Sequence, residues 1–154
     1  MLRTPLNLFR ALAIAEVVSW TLLITALVVR ATTGLAVAVT VGGGIHGFVF
    51  LAYGATAVLV AKNQRWSAWP TIVAVVSAVI PYATIPTELW LHRTGRLAGA
   101  WRIEEAADPR DRTWHDRAMR VLLRRPWLLA VLLVVAVAGV FTVLLVVGPP
   151  GGQD

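Results

Sequence analysis

Residues 35–60, LAVAVTVGGGIHGFVFLAYGATAVLV, decide the fold. The run is apolar from end to end. It is long enough to cross a bilayer as a helix, which takes roughly 20 mainly apolar residues. Yet it carries His46 and Tyr53 in its interior. Three more runs of similar length lie around it, at residues 9–29, 66–91 and 127–147. The first holds Glu16 and Ser19, and the third holds Ser77, Pro81 and Thr84. The last is almost purely aliphatic. Polar side chains in apolar runs turn toward one another, so the first three runs are expected to pack around a polar centre. The fourth is expected to stand outside it. The expected fold is all-α, a polytopic helical membrane protein with a three-helix core, an amphipathic surface helix and a fourth transmembrane helix. A β-barrel is excluded, because the runs lack inside/outside alternation.

Composition supports that class. Hydrophobic residues make up 58% of the 154 and charged residues 14%, with a mean hydropathy of +0.73. Soluble domains carry about 25% charged residues. The net charge is +6, and 13 of the 14 basic residues are arginine. In a soluble chain that balance would suggest nucleic acid. Here nine arginines fall between Leu91 and Pro126, beside membrane, where anionic lipid headgroups are the simpler partner and nucleic acid is not expected. There is no cysteine, which excludes disulfides, thiol catalysis and thiolate metal sites. The first run is too long for a signal peptide and contains Glu16, so it reads as a retained helix.

The chain divides into a three-span unit over 6–96, a basic cytoplasmic loop with an amphipathic helix over 97–126, a fourth span over 127–148, and a disordered tail over 149–154. Asp108-Pro109 reads as a helix start. Beyond it, Trp114, Ala118, Val121 and Leu122 share one face. Arg117, Arg120 and Arg124, with Arg125 after them, offer a lipid-headgroup surface on the other. If all four runs cross, the N-tail, second loop and C-tail share a side with four basic residues, and the first and third loops share the other with ten. The positive-inside rule then places the third loop in the cytoplasm and both termini outside. Trp90, Trp101, Trp114 and Trp127 are expected at the opposite interface from Trp66 and Trp69.

Within the runs, Glu16 and Ser19 share a face of the first helix. On the second, Gly42, His46 and Tyr53 form one row and Gly43, Gly47 and Gly54 the row beside it. Gly43 and Gly47 are a small-xxx-small pair that admits a neighbouring helix closely. Counting ~1.5 Å per residue puts Glu16 level with Tyr53, and His46 level with Pro81. Proline at 81 strips the Ser77 carbonyl of its helical donor, which His46 could replace. Glu88 falls near the opposite interface, within reach of Arg93 or Arg96. Two readings of this network compete: a proton or ligand path through Glu16, Tyr53 and His46, or hydrogen bonds that merely hold helices together. No histidine pair has metal-ligand spacing, no cofactor motif is present, and no acid sits level with Ser19 and His46 as a hydrolase would need. The chain is therefore expected not to be an enzyme.

The order Leu8-Phe9-Arg10, Ala15-Glu16, Ser19, then Ile45-His46-Gly47, Phe50, Tyr53, then Pro81-Tyr82, Thr84 resembles the YdzA-like family of small bacterial integral membrane proteins. The resemblance covers roughly residues 6–96. It implies a domain of about three spans, marked by the His-Gly pair in the second. No activity is established for that family. Some similar domains accompany major-facilitator transporters, which implies an accessory role. With the glycine-lined second helix and the basic loop, the leading expectation is a non-enzymatic accessory subunit of a membrane transport or envelope complex, and the alternative is a small proton-coupled carrier or sensor using Glu16, Tyr53 and His46. A bundle this small also often self-associates, so the expected partner is a membrane protein or a second copy. Ala31-Thr32-Thr33 stands where the family commonly has Pro-Lys, and Pro81-Tyr82-Ala83 where it has Pro-Phe-Gly. The resemblance carries over to Glu16, Ser19, His46, Gly47, Tyr53 and Pro81, and to nothing beyond Arg96.

Overall fold

A computed structural model describes residues 4–104 and 113–147, and every described element is helical. The Asp108-Pro109 helix start and the 149–154 tail lie outside the described residues.

Helix α1 spans Pro5–Thr33. Thr4 caps it, its hydroxyl accepting from the Asn7 amide at 3.2 Å, and Pro5 occupies the first turn where no amide is needed. Gly34 ends it at φ 75, a left-handed conformation that glycine adopts without strain. After that tight turn α2 runs back over Ala36–Asn63 and packs along most of α1. At its far end Arg102 takes over the capping. The guanidinium donates to the Lys62 carbonyl at 2.9 Å, and the Arg102 amide donates to the Asn63 side chain at 2.9 Å.

The third apolar run corrects the expectation of a continuous span. It breaks into α3 (Ala68–Val76), a single 3-10 turn (Ser77–Val79) and α4 (Thr84–Arg93). The residue before a proline is driven out of helical backbone, and Ile80 is extended at φ −102, ψ 121. Tyr82 then turns the chain at φ 65. The Ser77 carbonyl, expected to look to His46, instead accepts from the Ile80 amide at 3.3 Å.

The chain doubles back at this break. Thr84 donates to the Ala13 carbonyl at 3.0 Å, and Glu88 meets Arg10 at 2.9 Å, so α4 climbs back toward the start of α1. The Trp66 indole donates to the Arg96 carbonyl at 2.8 Å. Both ends of the run thus lie together, at the end of the bundle where α1 begins. This basic end collects every described arginine and lysine except Arg30. Trp90 and Trp101 pack there beside Trp66, not across the bundle from it.

Helices α5 (Trp114–Arg124) and α6 (Pro126–Val147) follow. Asp116 of α5 lies 3.4 Å from the Lys62 ammonium, which ties α5 to the end of α2. Its packing corrects the expected faces. Asp116, Met119, Arg120 and Leu123 are buried, while Trp114 and Val121 are exposed. Arg120, at 7% exposure, is no part of an outer headgroup surface, whereas Arg117, Arg124 and Arg125 are exposed. Helix α6 runs away from the basic end and lays Phe141 against α2.

The distribution of polarity is inverted relative to a water-soluble bundle. Glu16, Ser19, Asn63, Ser77, Thr84 and Glu88 are buried, and a long series of Val, Leu and Ile side chains is exposed. Only 22% and 28% of the most apolar windows of α1 and α2 are buried, far less than in the core helix of a soluble domain.

Candidate functional site

The buried polar groups form a ladder from the basic end to the middle of the bundle. Its first rung is Arg10 with Glu88. The Arg10 Nε and Nη2 both lie 2.9 Å from one Glu88 oxygen, and the carboxylate side chain is 4% exposed. This replaces the expected pairing of Glu88 with Arg93 or Arg96. The doubling back of the third run sets α4 against α1, so Glu88 arrives beside the first helix.

The second rung is Tyr53 with Ser77, 3.1 Å apart. Both are buried, and the Ser77 hydroxyl also reaches the Ala74 carbonyl at 2.7 Å. The Tyr53 ring packs 5.4 Å from Phe9, centroid to centroid. Tyr53 therefore binds the 3-10 break of the third run rather than Glu16. Pro81 shapes that break and contributes no polar group to the ladder.

The third rung is Glu16, Ser19 and His46. The Ser19 hydroxyl lies 3.1 Å from Glu16 Oε2, 2.9 Å from the Glu16 carbonyl and 2.9 Å from His46 Nδ1. Glu16 Oε1 stands 3.9 Å from the same imidazole nitrogen and has no hydrogen-bond partner among the described residues. The Glu16 side chain is fully buried and that of His46 is 12% exposed. The Trp20 ring lies 4.4 Å from the imidazole, and its indole N–H is fixed by the Ala78 carbonyl at 3.2 Å.

The expected levels put Glu16 beside Tyr53 and away from His46, and that pairing is corrected. Axial counting assumed that Phe9 and Val60 are level. The real register, set by Ser19 against His46 and Ala26 against Gly42, slides α2 so that Glu16 lies between His46 and Tyr53. Its side chain turns to His46 because Ser19, one turn on, offers a hydroxyl there.

Chemically this cluster is not a hydrolase triad. In a triad the acid holds the imidazole nitrogen remote from the hydroxyl. Here carboxylate and hydroxyl both face Nδ1. A hydroxyl with one proton between a carboxyl group and an imidazole has instead the geometry through which a proton could pass from one to the other. Beyond His46 the ladder stops. Residues 17–29 and 36–45 contain no ionisable side chain. A methyl group added at Gly42 would come within 2.8 Å of the Ala26 side chain, so the helices are closed there.

The glycine row divides by use. Gly42, placed by the sequence in the His46 row and not among the packing glycines, makes the tightest approach to α1; the Gly42-Gly43-Gly44 run was the available signal. Gly43 has Leu23 at 3.9 Å. Gly47 receives Phe141, 3.0 Å from where a Cβ would sit, so its expected docking role is filled from within the chain. Gly54 has open space beside it.

Residues 6–93 match the profile of a family described as a domain of unknown function, DUF3817. Over 108 residues, 68% of this chain, the sequence is 36% identical to a Streptomyces coelicolor protein named "Putative membrane protein SCO5905". The aligned part is 12% of that protein's length. No solved structure matches the chain.

Proposed function

The chain belongs to the DUF3817 family, and from that premise we propose that it is a non-enzymatic, polytopic membrane protein that takes up and releases a proton at Glu16, Ser19 and His46. The inverted polarity supports the membrane setting. So does the name of the Streptomyces relative.

The orientation follows from the third run. Helices α1, α2 and α6 cross, and α3 with α4 enters and leaves on one side as a re-entrant hairpin. Irregular backbone at membrane depth is tolerated where it is packed against protein. Here the break is anchored by Ser77 and Ala78, which are buried, with Ser77 against Tyr53 of α2 and the Ala78 carbonyl accepting from Trp20 of α1, while residues 79–82 are exposed. The N-terminus, the α2–α3 turn and the basic loop then share the cytoplasmic side, leaving Arg30 opposite. The assignment of both termini to the outside depended on a third crossing. With a hairpin the loop stays cytoplasmic, the N-terminus joins it, and the C-terminus lies outside. The exposed Arg117, Arg124 and Arg125 meet anionic headgroups on that side.

The observation that carries the functional reading is Ser19 bridging Glu16 and His46. A protonated Glu16 gives its proton to the Ser19 oxygen, Ser19 gives its own to His46 Nδ1, and the pair becomes carboxylate and imidazolium with Ser19 restored. The ladder leads to this site from the cytoplasmic end and is closed beyond it. That favours a sensor of cytoplasmic protons over a carrier that moves them across. Protonating an imidazole beside an indole alters the indole's emission, so Trp20 is a built-in reporter. In reconstituted protein, tryptophan emission should titrate, and the titration should vanish in His46→Gln and in Trp20→Phe. An unchanged titration in His46→Gln would remove the reading. A proton flux across the vesicles would convert the sensor into a carrier.

A second reading, an accessory subunit of a transport or envelope complex, is favoured by one feature. An apolar groove of about 510 Å³ lies between α2 and α3, lined by Phe50, Leu51, Gly54, Ala55, Val58, Val75 and Ala78. It is shaped for a helix of a partner or of a second copy. Gly54→Leu fills it, and should abolish co-purification of any stoichiometric partner while leaving the fold intact.

A further inference from the structure

We propose that the recess between the α2–α3 turn and the end of α4 binds a phosphate group. The recess has a volume of about 390 Å³ and is lined by Gln64, Arg65, Ser67, Pro70, Thr94 and Arg96. Among the described residues the lining is rich in donors, Arg96, Gln64 and Ser67 with Arg65 beside them, and includes no carboxylate.

Three observations point to an anion with oxygen acceptors. The Gln64 Nε2 is buried and has no acceptor among the described residues. A buried donor without an acceptor is costly, and a phosphate oxygen would satisfy it. Arg96 lies over the Trp90 ring at 5.0 Å, and among the described residues no carboxylate pairs with it. Stacking holds a guanidinium by its face and leaves its N–H edge for a bidentate contact, which suits phosphate. Ser67 opens α3 without using its hydroxyl as a cap, so the hydroxyl and the positive end of the helix are both available. Thr94 adds shape rather than a donor, since its hydroxyl already serves the Trp90 carbonyl at 2.7 Å.

The walls are held in place. The Trp66 indole grips the Arg96 carbonyl across the recess. Arg65 at φ 53 and Gly95 at φ 73 turn the chain on its two sides. This site is separate from the Ser19 relay, and neither depends on the other.

A phosphate group could arrive on a lipid headgroup or as the free anion. Full-length protein in detergent would be delipidated and titrated with phosphatidylglycerol and with phosphatidylcholine, with bound lipid read by native mass spectrometry. One phosphatidylglycerol should bind about tenfold more tightly than phosphatidylcholine, and Arg96→Gln should remove that preference, as loss of one charge-assisted contact predicts. Arg30→Gln, at the opposite end of the bundle, should leave it unchanged. Displacement of the lipid by inorganic phosphate would assign the site to the phosphate group itself; resistance to displacement would assign it to the anionic lipid. Equal binding of the two lipids with no response to phosphate overturns the proposal, as does an equal loss in both variants. Should Arg96→Gln fail to fold, the wild-type lipid preference and phosphate competition decide alone.

Discussion

Ser19 shows how much chemistry one hydroxyl can organise. It has one proton to give and stands among three acceptors, on Glu16 and His46. Ser19→Ala leaves those groups buried and unbridged. Stability in detergent should fall by about 1–3 kcal/mol, measured by chemical unfolding. The Trp20 titration should also change shape. An unchanged variant would mean that Ser19 is a bystander. Tyr82 is the other residue with a consequence of its own. A side chain at φ 65 is strained unless its surroundings hold it, and Thr21, 3.5 Å from its hydroxyl, holds it only weakly. Tyr82→Gly should therefore match or exceed wild-type stability, by up to about 1 kcal/mol. Tyr82→Val, branched at Cβ, should lower the melting temperature. Both are read by thermal unfolding in micelles. At this scale the sequence showed which polar groups lie inside apolar runs, and was poor about which of them meet. Glu16 and His46 declared themselves as polar groups in apolar runs. Their pairing turned on helix register, and one turn of error exchanges His46 for Tyr53.

At the level of elements, the decisive feature is the hairpin of α3 and α4. Pro81 made a break visible in advance, but not its outcome. A proline can kink a crossing helix or turn it back, and residues 66–91 are long enough for either. What selects the return is tertiary: Thr84 on Ala13, Glu88 on Arg10 and Trp66 on Arg96. None of these long-range contacts has a local signature. The chain has no cysteine, so single cysteines test the return directly. With Lys62→Cys and Arg93→Cys, an impermeant thiol reagent should label both from the same side of the membrane, and Thr33→Cys from the other. Labelling of residues 62 and 93 from opposite sides would restore a third crossing. The α1–α2 pair has a separate point of sensitivity. Gly42→Leu must push the helices apart and should cost at least 1–3 kcal/mol, roughly the penalty of an overpacked core. Gly54→Ala, facing open space, should cost little. The small-residue row was legible in the sequence; which glycine faces α1 and which faces α6 was not.

For the molecule as a whole, the inverted polarity and the gathering of basic residues at one end belong together. Among the described residues, an apolar belt separates a heavily basic face from a face whose one basic residue is Arg30. A reporter enzyme fused before Met1 should be active only in the cytoplasm, and one fused after Asp154 only outside. Fusions reporting both termini on one side would overturn the three-crossing arrangement. Composition alone made the all-helical class legible. The orientation was not, because the charge count changes sides with the number of crossings.

The ion pair of Arg10 with Glu88 also bears on biogenesis. Its partners are separated by most of the DUF3817 region, so a chain emerging from the ribosome presents Arg10 long before Glu88 exists. Until then the third run is simply an apolar segment, which an insertion machinery handles as it would any crossing helix. The hairpin can close only against an α1–α2 pair already in place. In the three-crossing arrangement proposed above, assembly would run from the N-terminus, and the Arg10–Glu88 pair would form last, as the latch that separates a finished protein from one inserted with an extra crossing.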